Sequence, residues 1–275
     1  MILVSCRKDF ASDYFFSDAN VIRDYPNPGN LDVFTEISEQ ELQARASGRH
    51  VLTLVHGYRN PLKNAANAYK GLAKSLVDAG LLVENASAPN NQYGLAIGFV
   101  WPGFRTKVLG FVAARPSANR SGGYLRSLLH TLRTTARTVD IQTHSLGARV
   151  ALQALSTDDT LWLDNLMLTA PAVDNECLEP KEEFFEALDS CGRVFVYHSK
   201  NDFVLKTYTG ITLDRALGGK GPENKNVIIE KCPNVYVVDC QSEVKDHGGY
   251  RKSPKYIAHW GKVLSQAPLP RYDAI

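Results

Sequence analysis

The feature that most constrains this chain is the turn at 143–147, which has the sequence THSLG. Alternating apolar residues precede it over 139–142, and apolar residues at helical spacing follow it over 148–155. We therefore predict a strand, a very tight turn and a helix. Such a turn holds Ser145 in strained backbone geometry and exposes its hydroxyl above the carboxyl edge of a parallel sheet, where it can act as a nucleophile. Gly147 meets the need for a small residue on the helix side.

Size and composition are those of one α/β domain, and we predict a single domain over residues 1–275. The chain is 44% hydrophobic and 22% charged, with a formal charge of +2 and no run of Lys and Arg, so nucleic-acid binding is not expected. No apolar run approaches the roughly 20 residues that span a bilayer, so we expect no stable membrane anchor. Five cysteines without C-x-x-C spacing fit reduced thiols in a cytoplasmic protein and indicate no metal site.

The apolar periodicity predicts a central, mostly parallel β-sheet flanked by helices on both faces. We expect the N-terminal segment 1–47 to supply two antiparallel edge strands, at 2–6 and 31–37, joined by a polar loop. The residues from Pro268 onward are expected to form a tail. The other predicted strands lie at 50–55, 93–101, 139–143, 166–170, 193–197 and 234–238, and the other predicted helices at 64–79, 124–137, 148–155, 180–188 and 254–264.

The segment 103–122 is long and basic and contains an apolar stretch at 108–114. Segments of this length in a compact domain are often functional. Two interpretations remain open: a loop or helix that packs on the body of the protein, or a flap over the active site.

Four segments resemble, in their order and spacing, a bacterial group of uncharacterised serine α/β-hydrolases. They are HGYRN at 56–60, FVWP at 99–102, THSLG at 143–147 and YHSKND at 197–202. The resemblance spans roughly residues 48–265 and implies the α/β-hydrolase fold and a catalytic apparatus, without a substrate. The short connection 171–179 stands where such enzymes often insert a lid, so no large lid domain is expected. Thr143 departs from the usual pattern, which has glycine at its position.

A serine hydroxyl needs a histidine to take its proton and a carboxylate to orient that histidine. In this fold the partners follow the serine in the order acid, histidine, each after a later strand. Asp202 follows the predicted strand at 193–197, and His247 lies in a glycine-flanked loop after the last predicted strand. We therefore predict a triad of Ser145, His247 and Asp202. Asp174, which follows the preceding strand, is the alternative acid, and Asp246 is a weaker one.

The tetrahedral intermediate of acyl transfer carries a negative oxygen that needs prearranged N–H donors. The amide of Leu146, directly after the nucleophile, is one predicted donor. The resemblance places the second donor at the amide of Tyr58. We also expect Gly57, Arg59 and His144 to contact the substrate.

These residues predict a serine hydrolase that cleaves an ester or related acyl bond in a small-molecule acyl substrate through an acyl-enzyme intermediate. The alternative is a catalytically inactive binding protein with the α/β-hydrolase fold. No G-x-G-x-x-G or Walker-type loop follows the first strands, and we expect neither a cofactor nor a metal. The sequence indicates no oligomeric state.

Overall fold

Runs of apolar and β-branched residues form the strands of one sheet. The computed structural model describes all residues except 84–87, 90, 104–109, 158–159 and 213. The side chains of residues 110 and 208–211 are also outside the description. The strands are β1 Ile2–Arg7, β2 Phe16–Asp24, β3 Thr35–Glu36, β4 His50–Val55, β5 Leu95–Val100, β6 Thr138–His144, β7 Leu163–Thr169, β8 Cys191–His198, β9 Val235–Asp239 and β10 Tyr272–Ala274. The helices are α1 Glu39–Ala46, α2 Leu62–Asp78, α3 Gly110–Arg133, α4 Gly147–Leu155, α5 Phe203–Thr212, α6 Leu217–Lys220, α7 Lys225–Lys231 and α8 Pro254–Leu264. Two 3-10 helices lie at Phe185–Ser190 and Tyr250–Lys252.

The strands form one sheet in the order β10-β9-β8-β7-β6-β4-β5-β1-β2-β3. All neighbours from β10 to β1 are parallel, and only the β1–β2 and β2–β3 pairs are antiparallel. The predicted central, mostly parallel sheet with flanking helices is thereby confirmed. Because the carboxyl ends of parallel strands meet at one edge, the loops after β4, β6, β8 and β9 converge there.

The middle of the sheet is the core of the protein. Every residue of β4 and β5 is buried, as expected for parallel strands that are covered on both faces. The hydrophobic face of α8 packs on this sheet, and Trp260 on that face is fully buried. This helix begins as the sequence predicts, because the Ser253 hydroxyl accepts a hydrogen bond from the Tyr256 amide at 3.1 Å and Pro254 occupies the first turn.

The N-terminal prediction was wrong in two respects. The segment expected to be a polar loop contains β2, a nine-residue strand that pairs antiparallel with β1. Only residues 35–36 of the expected strand at 31–37 are extended, and α1 follows them. The C-terminal tail also contains a strand, β10, at the opposite edge of the sheet.

The segment 103–122 is helical from Gly110 onward, so α3 begins 14 residues earlier than the helix predicted at 124–137. Ala114, Ser117, Ala118 and Ser121 are buried in this part of α3, so residues 110–122 pack on the body of the protein. The preceding residues, 104–109, lie outside the described residues.

Residues 170–184 connect β7 to the 3-10 helix without a large inserted lid. The helix predicted at 180–188 is this 3-10 helix, Phe185–Ser190. None of the described helices is both long and apolar enough to cross a membrane. All five cysteines are buried and unpaired.

Candidate active site

Ser145 lies at the turn between β6 and α4 with a φ of 55°, in the left-handed region that non-glycine residues rarely adopt. Its backbone is held on both sides. The Ser145 amide donates to the Thr169 carbonyl at 3.0 Å, and the Ser145 carbonyl accepts from the Ala172 amide at 3.1 Å. Strain of this kind persists only where the surrounding structure enforces it, and it is often found at functional sites.

Gly147 permits this turn because the start of α4 presses against the end of β4. A Cβ atom at Gly147 would lie 2.7 Å from the Val55 carbonyl oxygen and 2.6 Å from that of His56. Both distances are far below van der Waals contact, so a larger residue would push the helix away from the sheet. Thr143, in the position where glycine is usual, is fully buried, and its hydroxyl donates to the Met167 carbonyl at 3.4 Å.

Asp202 and His247 form a hydrogen-bonded pair although 45 residues separate them. The Nδ1 of His247 lies 2.6 Å from Oδ2 of Asp202. The Asp202 carboxylate is buried, and its Oδ1 accepts from the Leu205 amide at 3.1 Å. A carboxylate in this position places the imidazole proton on Nδ1 and leaves Nε2 available to accept a proton.

The alternative acids have other partners. An Asp174 oxygen, Oδ2, lies 3.2 Å from Nη2 of Arg115 in an ion pair. The carboxylate of Asp246 accepts a hydrogen bond from the Gly248 amide at 2.9 Å within its own exposed turn. Of the three carboxylates that the sequence offers as the candidate acid, Asp202 is the one that contacts His247.

His144, the residue before Ser145, contacts the loop that carries His247. Its Nε2–H donates to the His247 carbonyl at 2.7 Å, and the two ring centroids are 4.6 Å apart. Burial and the proximity of His247 lower the pKa of His144 to about 3, so His144 is neutral near pH 7. The turn and the His247 loop are therefore joined directly.

Ser145 and His247 line one cavity of 290 Å³. Gly57, Tyr58 and His144 line it too, whereas Arg59, Leu146 and Asp202 are not among its described lining residues. No hydrogen bond joins the Ser145 hydroxyl to the His247 ring among the residues described. Contacts of this kind are often long in ligand-free sites and tighten when substrate binds. A larger depression of 810 Å³, between α8 and β10, contains none of the predicted site residues.

The predicted N–H donors lie at the two sides of the turn. The Leu146 amide, at the start of α4, donates to no other residue within the described part of the chain, as expected in the first turn of a helix. Gly57 packs against Ser145, since a Cβ atom there would be 2.7 Å from that of Ser145. The 56–60 loop, which carries the Tyr58 amide, is thereby brought next to the serine.

A buried network that the sequence does not reveal supports this loop. The guanidinium of Arg7, at the end of β1, donates to the Asn60 carbonyl at 2.6 Å and to the Trp101 carbonyl at 2.9 Å. The Asn60 amide side chain donates to the Gly57 and Tyr58 carbonyls, each at 3.1 Å. The carbonyls of the 56–60 loop are thus fixed, which leaves its amides in defined positions.

His56 belongs to the same network and is a buried neutral histidine. The Trp101 amide donates to its Nε2 at 3.1 Å, so the proton is on Nδ1, which donates to the Gly57 carbonyl at 2.8 Å. Burial and the neighbouring charge of Arg7 lower the pKa of His56 to about 3. His56, which stands out in the sequence only as the first residue of HGYRN, therefore helps to support the 56–60 loop.

The buried titratable groups predict that stability falls in mild acid. Burial lowers the folded-state pKa values of His56 and His144 to about 3 and that of His259 to about 4, so their contribution to stability is complete above pH 6.5 and is lost as the pH falls. Asp140 acts in the opposite sense, because burial raises its pKa to about 6. Its contribution to the free energy of unfolding therefore increases as the pH falls from 6 towards 3.8. The balance of three histidines against one aspartate is about two protons, or about 2.7 kcal/mol per pH unit between pH 6 and 4.5.

Urea unfolding at several pH values would measure this slope. A His259→Gln variant removes one titrating group and should flatten the slope by about one proton, even if its stability at pH 7 is lower. A free energy of unfolding that is constant between pH 6.5 and 4.5 in the natural protein would contradict the assignment of these histidines as neutral.

No group of three or more His, Cys, Asp and Glu side chains in the described part of the chain is arranged to hold a metal ion. The chemical groups at the site are a strained serine, a histidine held by a buried carboxylate, and backbone amides. This set is suited to nucleophilic attack with proton transfer.

Comparison with known proteins identifies the family. A family model described as alpha/beta hydrolase of unknown function (DUF900) matches residues 34–253, which is well over half of the chain. No curated protein has a significantly similar sequence.

Two solved structures are similar at low identity. An esterase of Pyrococcus furiosus is 12% identical, with 97% of this chain and 92% of that chain covered and a TM-score of 0.45. Carboxyl esterase 2 of the fungus Tuber melanosporum is 13% identical, with 93% and 70% covered and a TM-score of 0.37. At this low identity and TM-score, the activity of neither protein is assigned to this chain. The match to the family model shows that the chain belongs to the alpha/beta hydrolases of unknown function (DUF900).

Proposed function

We propose that this chain is a serine hydrolase that cleaves an ester or related acyl bond of a small molecule through an acyl-enzyme intermediate. The observation that carries the proposal is the 2.6 Å contact between Asp202 and His247 beside Ser145, whose φ is 55°. A buried carboxylate on Nδ1 of a histidine that shares a cavity with a strained serine is the arrangement that activates a serine hydroxyl.

In the first half of the reaction, His247 Nε2 takes the proton of the Ser145 hydroxyl as its oxygen attacks the acyl carbon. Asp202 keeps the other imidazole proton on Nδ1 and stabilises the imidazolium that forms. The Leu146 and Tyr58 amides stabilise the negative oxygen, each contributing about 2.7–4 kcal/mol in the transition state. His247 then protonates the leaving alcohol or amine, and the acyl group remains on Ser145.

In the second half, His247 takes a proton from water, and the resulting hydroxide attacks the acyl carbon. The bond between the acyl carbon and the Ser145 oxygen breaks, His247 returns the proton to Ser145, and the carboxylic acid leaves. The residues used are those of the first half, so no further group is needed.

The alternative, a catalytically inactive binding protein, is favoured by the missing hydrogen bond between Ser145 and His247 in the described residues. A fluorophosphonate distinguishes the two functions, because it reacts only with an activated serine. We expect intact-mass spectrometry to detect one adduct on the natural protein and none on Ser145→Ala or His247→Ala. A folded natural protein that remains unmodified would favour the binding function.

The contact between His144 and the His247 carbonyl predicts a positioning role for His144. His144→Leu should lower kcat by roughly tenfold or more, because the His247 loop loses a hydrogen bond that orients the base. His144→Gln keeps an N–H donor at a similar reach and should restore most of the rate.

The pH dependence of kcat provides the second measurement for His144. A loop that no longer holds His247 in place should displace the pH profile in the leucine variant and leave it near normal in the glutamine variant. Equal losses in both variants, with an unchanged profile, would show that His144 acts only through packing.

A further inference from the structure

The active-site cavity has an unbalanced charge. Its lining includes one arginine, Arg251, and no carboxylate among the described residues. The pKa values of His56 and His144 are lowered to about 3, chiefly by burial, so both are uncharged near pH 7. A permanent positive charge therefore lies at this cavity without an acidic side chain in the lining to offset it.

Arg251 has no acidic partner within the described part of the chain, whereas two other arginines near the site are paired. Arg7 pairs with Asp13 at 2.7 Å, and Arg115 pairs with Asp174 at 3.2 Å. The backbone of Arg251 is nevertheless held in place, since its carbonyl accepts a hydrogen bond from the Ser75 hydroxyl at 3.1 Å. Arg251 is exposed and lines the cavity from this anchored segment.

The charge of Arg251 acts on the turn at 143–147, because Arg251 is one of the groups that lower the pKa of His144. The cavity, at 290 Å³, is at the small end of the roughly 300–1,000 Å³ range of ligand pockets. A guanidinium in such a space binds a carboxylate or phosphate with two parallel hydrogen bonds.

We propose that the substrate of this site is a small ester that carries an anionic oxygen group, a carboxylate or phosphate, and that Arg251 binds this group. The proposal rests on the proposed hydrolase function and adds the class of substrate to it. Arg251 is a binding residue in this scheme, and it takes no part in proton transfer.

Matched ester pairs test the proposal. Ethyl hydrogen succinate and ethyl pentanoate differ in charge on the acyl side, whereas acetoxyacetate and propyl acetate differ in charge on the alcohol side. Hydrolysis is followed by titration of the released acid. We expect kcat/KM to favour the anionic member of one pair by about tenfold or more, as for a charge-assisted hydrogen bond.

The variants assign the preference to one side chain. Arg251→Gln should abolish it, Arg251→Lys should retain part of it, and Lys252→Gln, which removes the neighbouring charge outside the cavity lining, should leave it intact. Raising the ionic strength should weaken it in the natural protein. A preference that survives in Arg251→Gln, or no preference in either pair, would overturn the proposal.

Succinate binding, measured by calorimetry, separates this proposal from the hydrolase function. Binding that is lost in Arg251→Gln supports the anion site even if no ester is hydrolysed and no fluorophosphonate adduct forms, in which case the hydrolase function fails alone. An adduct on Ser145 without succinate binding and without anionic preference would leave the hydrolase function standing and refute the role of Arg251.

Discussion

Replacing Ser145 with alanine should lower kcat for any ester that the protein hydrolyses by about 10⁴-fold or more. Without the hydroxyl, no acyl-enzyme intermediate can form, and only binding and the oxyanion donors remain to assist water. His247→Ala should cause a loss of similar size. Because the two residues act as one unit, the double variant should be no worse than either single variant.

Steady-state kinetics on the purified variants, with circular dichroism to establish that they are folded, would measure these losses. Ser265→Ala, which changes an exposed serine after α8, is the matched control and should retain full activity. If Ser145→Ala kept more than about a tenth of the natural rate, the nucleophile would have to be sought elsewhere.

Asp202→Asn should reduce kcat by about 10⁴-fold, since an amide in place of the carboxylate favours the wrong tautomer of His247 and cannot stabilise the imidazolium. The same substitution at Asp174 should leave kcat nearly unchanged, because this carboxylate pairs with Arg115. The two variants make the same chemical change at the two acids that the sequence offers.

The ratio of the two kcat values is the decisive quantity for the identity of the acid. A large loss in Asp174→Asn with a small loss in Asp202→Asn would reverse the assignment. Unfolding measured in urea would separate a change in chemistry from a change in stability, because Asp202 is buried and also accepts the Leu205 amide.

Much of the fold could be predicted because its central strands bury both faces and therefore have long apolar runs. Strand β2 lacks this signal. Asp18 and Ala19 in it are exposed, and the strand is stabilised by its backbone pairing with β1, which leaves no alternating apolar pattern to detect. The short edge strand β10 escaped prediction for the same reason.

The early start of α3 also has a physical explanation. Pro116 and the glycine pair at 122–123 have poor intrinsic helix propensity. Gly122 instead allows α3 to lie close to α4, where a Cβ atom would be 2.9 Å from Cγ of Gln153. Close packing of α3 against α4 outweighs the poor helix propensity of Pro116 and the glycine pair. This packing is a tertiary effect, which the local sequence does not reveal.

At the site, the order of Ser145, Asp202 and His247 along the chain could be predicted because each follows a strand of a parallel sheet. The contacts of Arg7 and the proposed role of Arg251 could not, because both depend on the packing of distant elements. Arg7 meets Asn60 across 53 residues, and Arg251 reaches the cavity from a short 3-10 helix. Neither position has a local pattern that separates it from an ordinary surface arginine.

The hydrogen bond from Arg7 to Asn60 has a consequence for how the family is delimited. The segment that the family model matches, 34–253, contains Ser145, Asp202, His247 and the two amides proposed as oxyanion donors. It omits β1, the strand that covers the edge of β5 and carries Arg7. We therefore expect a chain cut to that segment to keep the proposed catalytic groups but to lose the support of the 56–60 loop. If the proposed function holds, the smallest active unit would be larger than the segment that identifies the family.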